Sequence, residues 1–405
     1  MNLNVYLNTN QTQKLGTLAQ KNKKIYFEYD KDFLKTKLEI SPYKLPLKSG
    51  LFRCDDNTFD GIWGVFADSL PDGWGRLLID RHLLKLGKNP NSLSPLDRLA
   101  YVGSDAMGAL SYEPSLEIKS ELQDIILDDL AKSSKEILEG SSELLVEELL
   151  SLNGSSAGAR PKVLVQISED LTKIVHGKSK LKDGFSHWIV KFASSMDSFE
   201  IGAVEYAYSL MAKDAGLIMP DSTLIEGKQG RYFAIKRFDR VGSKRVHMHS
   251  VAGLTHSDFR HPTLDYDDLL TLTFHLTKDF KEVEKMFRQS VFNLFTNNRD
   301  DHAKNFSFLL NENGEWKLSP AYDLTYSSGV GGEHSTMYLG EGKNPTILHL
   351  EKLAKKHLIK DASQIIEEVK DSVSRWKDFA KEAGVSKSSI NQLSKLFKTH
   401  FLPNP

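Results

Sequence analysis

The sequence predicts an α+β protein of two lobes: a strand-rich amino-terminal half carrying an extra small β-rich subdomain, and a mainly helical carboxy-terminal half. Three observations carry this. Over residues 1–60, short apolar stretches (NVYLN, KIYFEYD) alternate with turns at a period near two, as half-buried strands do. From about residue 241 the period lengthens to that of helices, in LDYDDLLTLTFHLT, DFKEVEKMFRQSVFNLFTNN, PTILHLEKLAKKHLI and ASQIIEEVKDSVSRWKDFAKEAG. A chain of 405 residues is also long enough for two or three separate cores. The expected divisions are 1–110, 111–240 and 241–405.

The elements follow in order. GVFADSLPDGWGRLLIDRHLLKLG (64–87) turns helical after Pro71-Asp72-Gly73, with Leu77, Leu78, Leu83, Leu84 and Leu86 as its buried face. Asp68 and Asp72 stand beside Pro or Gly at a helix entrance and read as turn or capping residues. Segment 116–153 is charged and helical, and GSSAGARPKVLVQI (154–167) runs into a hairpin-like SEDLTKIVHG. SHWIVKFAS (186–194) is a strand, and FEIGAVEYAYSLMAKDAGL (199–217) is a periodic helix closed by Gly216. Residues 223–240 read as two strands joined across Glu226–Gly230. One strand pair, FSFLLN-ENG-EWKLS, interrupts the helical half. Near the end, WKDFAKEAGVSKSSINQLSKLF (376–397) has helix, Gly-containing turn, Ser cap and helix, superficially a DNA-reading module with Ser386, Lys387, Ser388 and Ser389 at the second helix's start. The favoured role is a closing helix pair with Trp376 and Phe379 in its core.

Composition narrows the function classes. Lys plus Arg (53) nearly cancels Asp plus Glu (54), so there is no global pull toward nucleic acid or anionic lipid. Cys54 is the only cysteine, which excludes an intrachain disulfide and a cysteine-built metal site. The opening MNLNVYLNTNQTQKLG lacks a basic start followed by an apolar run, and no window approaches the roughly 18 apolar residues of a membrane span. A soluble cytoplasmic protein is expected.

The chemistry concentrates in NNRDDHAKNF (297–306). Phosphoryl transfer from ATP needs a carboxylate to accept the proton of the attacking hydroxyl, hard oxygen ligands for Mg²⁺, and cations with backbone donors for the phosphates. Protein kinases supply the first two with an Asp, an Asn five positions later, and a second metal-binding Asp after a short hairpin. Asp300 and Asn305 have that spacing, which selects Asp300 over Asp301. The hairpin that follows ends at Asp323 and can return it toward Asn305. His302 suits a bond that holds the loop, and Lys304 is either a phosphate contact or a solvated cation. The competing reading is a polar loop beside a hairpin.

Further parts accompany it. Lys191 lies on the strand WIVKF ahead of a helix with Glu200 and Glu205, and a strand lysine steadied by a helix glutamate is the kinase device for neutralising phosphates. Glu205, one turn into the helix, is preferred. GSSAGARPK offers backbone N–H groups that can wrap phosphates, although it matches neither the P-loop nor the kinase glycine-loop pattern. YFAIKRFDR (232–240) closes the strand-rich half, where an adenine would meet hinge backbone; Phe238 can cover the base and Asp239 bond a ribose hydroxyl, the competing reading being an interlobe linker in which Asp239 is salt-bridged to Arg237 and Arg240.

These stretches carry a family resemblance. SSAGARPK (155–162), WIVKF (188–192), KRFDR (236–240), DDHAKNFSF (300–308) and LSPAYDL (318–324), with the amino-terminal GIWGVFADSLPDGWGRLLIDR (61–81), resemble the HipA-type serine/threonine protein kinases, toxins of bacterial type II toxin–antitoxin modules. The resemblance spans essentially the whole chain. It implies a two-lobed protein-kinase-like fold: 1–110 a HipA-type amino-terminal subdomain, 111–240 a kinase-like N-lobe with phosphate loop and hinge, and 241–405 a helical C-lobe. It implies transfer of the ATP γ-phosphoryl, with Mg²⁺, to serine or threonine of a protein substrate; in the best-known members that is glutamyl-tRNA synthetase, and dormancy follows. By the same resemblance Asp300 is the catalytic aspartate, Asn305 and Asp323 are metal ligands, and Lys191 contacts phosphate. Ser156, Ala157, Gly158 and Ala159 form the phosphate loop and Lys162 ends it. Lys236 and Phe238 resemble the hinge residues whose backbone receives adenine, and Asp239 the ribose contact. Ser155 matches the serine that members phosphorylate on themselves, with Ser156 adjacent to blur the choice.

The departures are local. Lys236 stands where a glutamate is common, and Asp301 where a glycine is frequent, adding a carboxylate beside the catalytic one. Arg160-Pro161 stiffens the phosphate loop, since proline fixes its own φ and lacks an N–H. The resemblance implies a small helix-turn-helix antitoxin of HipB type, with DNA contacted only through it, and no membrane. A related kinase with a different protein or small-molecule target, and an inactive antitoxin-binding scaffold, are the alternatives; retention of Asp300 counts against the scaffold.

Overall fold

In the computed structural model, which describes residues 1–118, 125–141, 144–154, 158–177, 180–261 and 263–398, the chain divides into two units. The first gathers Met1–Phe199, Ile225–His256 and Leu309–Gly314; the second Glu200–Leu224, Ser257–Phe308 and Glu315–Pro405.

The first unit begins with the strands that the period-two pattern requires: β1 (Asn2–Asn8), β2 (Thr12–Lys21), β3 (Lys24–Tyr29), β4 (Leu51–Arg53) and β5 (Leu110–Glu113), in the order β4-β3-β2-β1-β5. Leu3, Val5 and Leu7 alternate inward on β1. Gly16 on β2 lets β3 approach: a Cβ there would stand 2.3 Å from the Glu28 carbonyl oxygen. Phe27 packs against Trp63 and Phe66 to fill that face.

A helix over Gly73–Lys85 follows, as expected, but its buried face differs. Trp74, Leu78, Ile79, His82 and Leu83 point inward, whereas Leu84 and Leu86 are 55% and 51% exposed. Trp74 carries the largest apolar area and sets the helix's rotation, which turns the last leucines out. That helix joins Leu127–Glu139 and Val146–Asn153 over a second sheet. This sheet comprises β6 (Lys162–Ser168), β7 (Ile174–His176), β8 (Phe185–Lys191), β9 (Ser222–Glu226, at its edge) and β10 (Arg231–Lys236), in the order β7-β6-β8-β10-β9. β6 is buried along its whole length, its polar Lys162, Gln166 and Ser168 included. Val163, Val165, Trp188, Val190 and Ala234 form the sheet's share of the core with Trp74, Leu78 and Leu149.

The second unit is mainly helical. Helix Ile201–Asp214 contacts Trp376–Glu382, and Phe280–Phe295 contacts Tyr266–Thr277 and Ala362–Ser374. Tyr208, fully buried, donates its hydroxyl to the Thr296 carbonyl at 2.8 Å and packs edge-on against Trp376 and Phe397. The closing helix pair forms, with one correction. Trp376 is in the core, but its partner is Phe397 at 5.5 Å; Phe379 is half-buried beneath the Arg375 guanidinium. The start of the last helix, Lys387–Lys398, is also engaged within the unit. The Glu200 carboxylate accepts from the Ser386 amide at 2.9 Å and the Ser389 hydroxyl at 2.7 Å, so these serines serve the fold. Among the described residues no helix is long and apolar enough to cross a membrane.

Candidate active site

In the second unit, the amphipathic helix Phe280–Phe295 buries Phe292 and Phe295 and so fixes where the chain leaves it. Asn297 then adopts φ 50°, a left-handed turn that asparagine tolerates. Its carbonyl accepts the Ser327 amide at 3.1 Å, and Asn298 bridges to the same residue. Arg299, Asp300 and Asp301 follow. The Asp300 side chain is 59% exposed while Asp301 is buried, so the adjacent carboxylates face different surroundings. The Asn305 side-chain amide donates to the Asp300 carbonyl at 2.7 Å, which leaves the Asn305 Oδ1 as the atom suited to a cation.

The hairpin after Phe306 returns as the spacing predicts. Strands Ser307–Leu310 and Trp316–Leu318 are neighbours in one sheet, and the Ser319 amide donates to the Ser307 carbonyl at 2.9 Å. The Tyr322 hydroxyl then donates to the Lys304 carbonyl at 2.7 Å and lies 2.5 Å from the Ser307 Oγ. The residue before Asp323 is thereby bonded to the residue before Asn305. Asp323 is half-buried at φ 55°, in the left-handed region that aspartate enters more readily than most residues.

Two neighbours differ from expectation. His302 Nε2 is 3.8 Å from the Asp300 carboxylate, beyond hydrogen-bond reach, and its ring packs on Phe259 at 5.5 Å. Lys304 places its Nζ 4.3 Å from the centroid of the same ring, a cation–π contact. Phe259 was not legible as part of this site.

In the first unit, Lys162 and Lys191 are direct cross-strand partners on β6 and β8. Lys162 is only 4% exposed, and the Lys191 ammonium lies 5.8 Å from the Phe233 ring. Like charges directly opposite each other destabilise a sheet unless negative charge balances them, so this pair calls for anionic company. Gly158 supports the same reading: a Cβ there would sit 2.6 Å from the Lys162 Nζ, and its φ of 108° suits only glycine. Its amide donates to the Asp72 carboxylate at 2.7 Å, and its carbonyl accepts from the Trp74 amide at 3.1 Å. Asp72 therefore occupies a cap position but spends its carboxylate on the loop rather than on its own helix. Ala159 follows Gly158, and Arg160 pairs with Asp197 at 3.0 Å. Ser155, Ser156 and Ala157 lie outside the described residues.

At the end of β10, the Lys236 backbone faces Trp188, the Arg237 amide donates to the His187 carbonyl at 2.8 Å, and Phe238 is half-buried. Asp239 is placed differently from a ribose contact. It is 0% exposed, and its carboxylate accepts from Arg237 Nε at 2.9 Å and from Arg237 Nη2, Arg240 Nη1 and the Gly108 amide at 2.7 Å each. Burial pushes its carboxyl up, but the two guanidinium charges outweigh this and hold it well below the usual range. As placed, it has no surface to offer a ligand.

Glu205 is buried on helix Ile201–Asp214 in the second unit, while Lys191 belongs to the first. Asp68 is a further residue that the sequence under-read. It takes His249 Nδ1 at 2.6 Å and the Ser250 amide at 2.8 Å. Burial again acts against its ionisation, and these hydrogen bonds and the His249 charge reverse the sign to a lowered carboxyl.

Chemically, the second unit offers an exposed carboxylate, an oriented amide oxygen and a second carboxylate brought back by a hairpin. Among the described residues no three His, Cys, Asp or Glu side chains gather into a metal nest. Mg²⁺ that arrives with phosphates needs only one or two protein ligands, so Asn305 and Asp323 suffice in kind.

Comparison with known proteins finds matches over most of the chain. A family model described as the HipA-like C-terminal domain matches residues 154–376, and one described as the HipA N-terminal domain matches residues 3–113. The chain belongs to the HipA family. Its fold is similar to a chain of the Shewanella oneidensis MR-1 toxin–antitoxin complex of HipA, HipB and operator DNA: TM-score 0.69 at 16% identity, covering 98% of this chain and 95% of that one. The α+β, kinase-like HipA fold is thus shared. A provisionally named kinase of Sinorhizobium fredii, Y4dM, is 26% identical over 208 residues, 47% of this chain and 50% of the relative. A provisionally named kinase of Haemophilus influenzae is 24% identical over 185 residues, 42% of this chain and 52% of the relative. The chain spans about half the length of the curated relatives it matches.

Proposed function

We propose that this chain is an ATP- and Mg²⁺-dependent serine/threonine protein kinase acting as the toxin of a HipA/HipB-type module. Family membership and the kinase names of its relatives support the class. The observation that carries the reading is the Tyr322–Lys304 bond, which ties the approach to Asp323 beside Asn305 while Asp300 stays exposed. ATP with Mg²⁺ supplies the activated phosphoryl group. Asp300 accepts the proton of the attacking hydroxyl. Asn305 and Asp323 hold the metal, Lys191 and Lys162 neutralise phosphates, and Gly158 and Ala159 approach them through backbone. Lys304 leaves the Phe259 face to meet charge at the reacting group, with His302 packed behind it. Lys236 and Phe238 receive the adenine at the hinge. Glu205 is the supporting glutamate, and Ser155 the site of self-modification.

The substrate in this reading is a translation protein such as glutamyl-tRNA synthetase, and a HipB-type antitoxin is the partner that brings DNA contact. A related kinase with another target uses the same residues. The test is turnover and ATP affinity for Asp300→Ala and Asp323→Ala with Mg²⁺. Asp300→Ala abolishes transfer while ATP still binds, since a proton acceptor contributes mainly to the chemical step; Asp323→Ala weakens Mg²⁺-dependent ATP binding as well. Equal loss of ATP affinity in both variants refutes the division of roles.

A further inference from the structure

Asp301 is the carboxylate that the transfer chemistry leaves unused, and its surroundings are unusually complete. It is 1% exposed. Its Oδ1 accepts the Ser335 amide at 2.8 Å and the Thr336 amide at 3.2 Å. Its Oδ2 accepts the Tyr266 hydroxyl at 2.9 Å and pairs with His334 Nδ1 at 2.9 Å. Four donors saturate both oxygens, so this carboxylate is not a spare metal ligand. The same neighbours also hold the backbone on either side of Asp300. The Arg299 carbonyl accepts from the Ser335 amide and hydroxyl at 3.1 Å each, and the Asp301 carbonyl from the Thr336 hydroxyl. With the Asn305 amide on the Asp300 carbonyl, three consecutive carbonyls are bonded. Tyr266 passes the restraint on, since its oxygen accepts from the Asn293 side chain at 2.8 Å, on the helix that launches the loop.

We infer that Asp301 is a positioning residue: with His334, Ser335 and Thr336 it clamps the backbone on either side of Asp300 and so fixes where the Asp300 carboxylate is presented to a hydroxyl. The inference rests on Asp300 being the proton acceptor. A carboxylate that must stand within hydrogen-bond reach of a reacting hydroxyl loses rate steeply with small displacements, and a clamp on its own peptide groups removes that freedom before substrate arrives. The bonds that Asp301 and Thr336 make reach residues 299 and 301 and leave the Asn305 bond to the Asp300 carbonyl in place, so their loss bears on turnover rather than on nucleotide affinity.

Thr336→Val tests this with little change in volume, removing only the hydroxyl on the Asp301 carbonyl. Asp301→Asn is the stronger variant, and Tyr266→Phe removes one donor to the carboxylate. In steady-state assays with ATP and Mg²⁺, at a temperature where circular dichroism shows each variant folded, Thr336→Val should lower kcat about tenfold. Asp301→Asn should lower it further, with KM for ATP within about twofold of wild type in both. Amide exchange at Ser335 and Thr336 should quicken at least about tenfold in Asp301→Asn. A folded Thr336→Val with wild-type kcat, or kcat and KM moving in parallel, overturns the inference and leaves the proposed function standing. A wild-type chain that transfers no phosphate overturns both.

Discussion

Asp239 separates two accounts of the hinge. A ribose contact there predicts that Asp239→Asn spares the fold and weakens ATP binding, by about 1.5–3 kcal/mol for a charge-assisted bond, or roughly tenfold to a hundredfold in affinity. The structure predicts the reverse. The carboxylate is fully buried among four donors, and an asparagine would remove the charge that balances Arg237 and Arg240 and turn an N–H₂ group toward a guanidinium. Breaking one side of a buried ion pair costs about 3–5 kcal/mol. At about 2–4 °C per kcal/mol for a domain of 150–250 residues, Tm should fall by roughly 10 °C. Thermal unfolding followed by circular dichroism, with calorimetric ATP titration at a temperature where both proteins are folded, reads the two quantities separately. A Tm within about 2 °C of wild type together with an ATP affinity reduced tenfold or more would refute the hub assignment.

Two other outcomes follow from the first unit. Asp72→Ala removes the acceptor of the Gly158 amide and should raise KM for ATP about fivefold to tenfold, the size of one partly exposed hydrogen bond of about 1–1.5 kcal/mol; Asp72→Asn keeps an acceptor oxygen and should stay near wild type. An unchanged KM in the alanine variant would show that the latch does not shape the loop. His247 is held at about 4, against an ordinary 6.5, by burial first and by the nearby His249 second, with the Ile40 carbonyl and Asp68 opposing. Between those pH values the unfolded chain binds a proton that the folded chain refuses, so stability is full above 6.5 and is lost as pH falls toward 4, by at most about 3 kcal/mol. Urea unfolding of wild type and His247→Gln at pH 7 and pH 4.5 should show the wild type's advantage shrinking on acidification; a constant difference would refute the assignment.

The sequence made legible whatever depends on local spacing. Asp300 and Asn305 sit five apart in one loop, and a hairpin of short strands has to double back, so Asp323's return follows from chain geometry. The alternation on β8 likewise separates Trp188 and Val190, which lie in the core, from Lys191 on the other face. What stayed hidden depends on distant partners. Nothing near Asp301 announces Ser335 and Thr336, more than thirty residues on, as its donors. Phe379 was expected in the core by helical period, and Phe397, which meets Tyr208 and Trp376, takes that place. Asp239 read either as a ribose contact or as a linker residue paired with its flanking arginines; the arginine bonds are the ones that form, and the Gly108 amide, 131 positions away, was the partner that could not be foreseen.

That same Gly108 bond has a consequence for recombination among relatives. The stretches matched as N-terminal and C-terminal domains are stitched together at Asp72–Gly158, Asp68–His249, Ala106–Arg240 and Gly108–Asp239. A chimera joining residues 3–113 of one relative to 154–376 of another would inherit two halves of each stitch from different ancestors. Asp68–His249 needs a side chain from each half, and Asp72, Asp239 and Arg240 each need the other half's backbone in register, so a hybrid lacking either should be destabilised at these seams, however well each half suits its own parent.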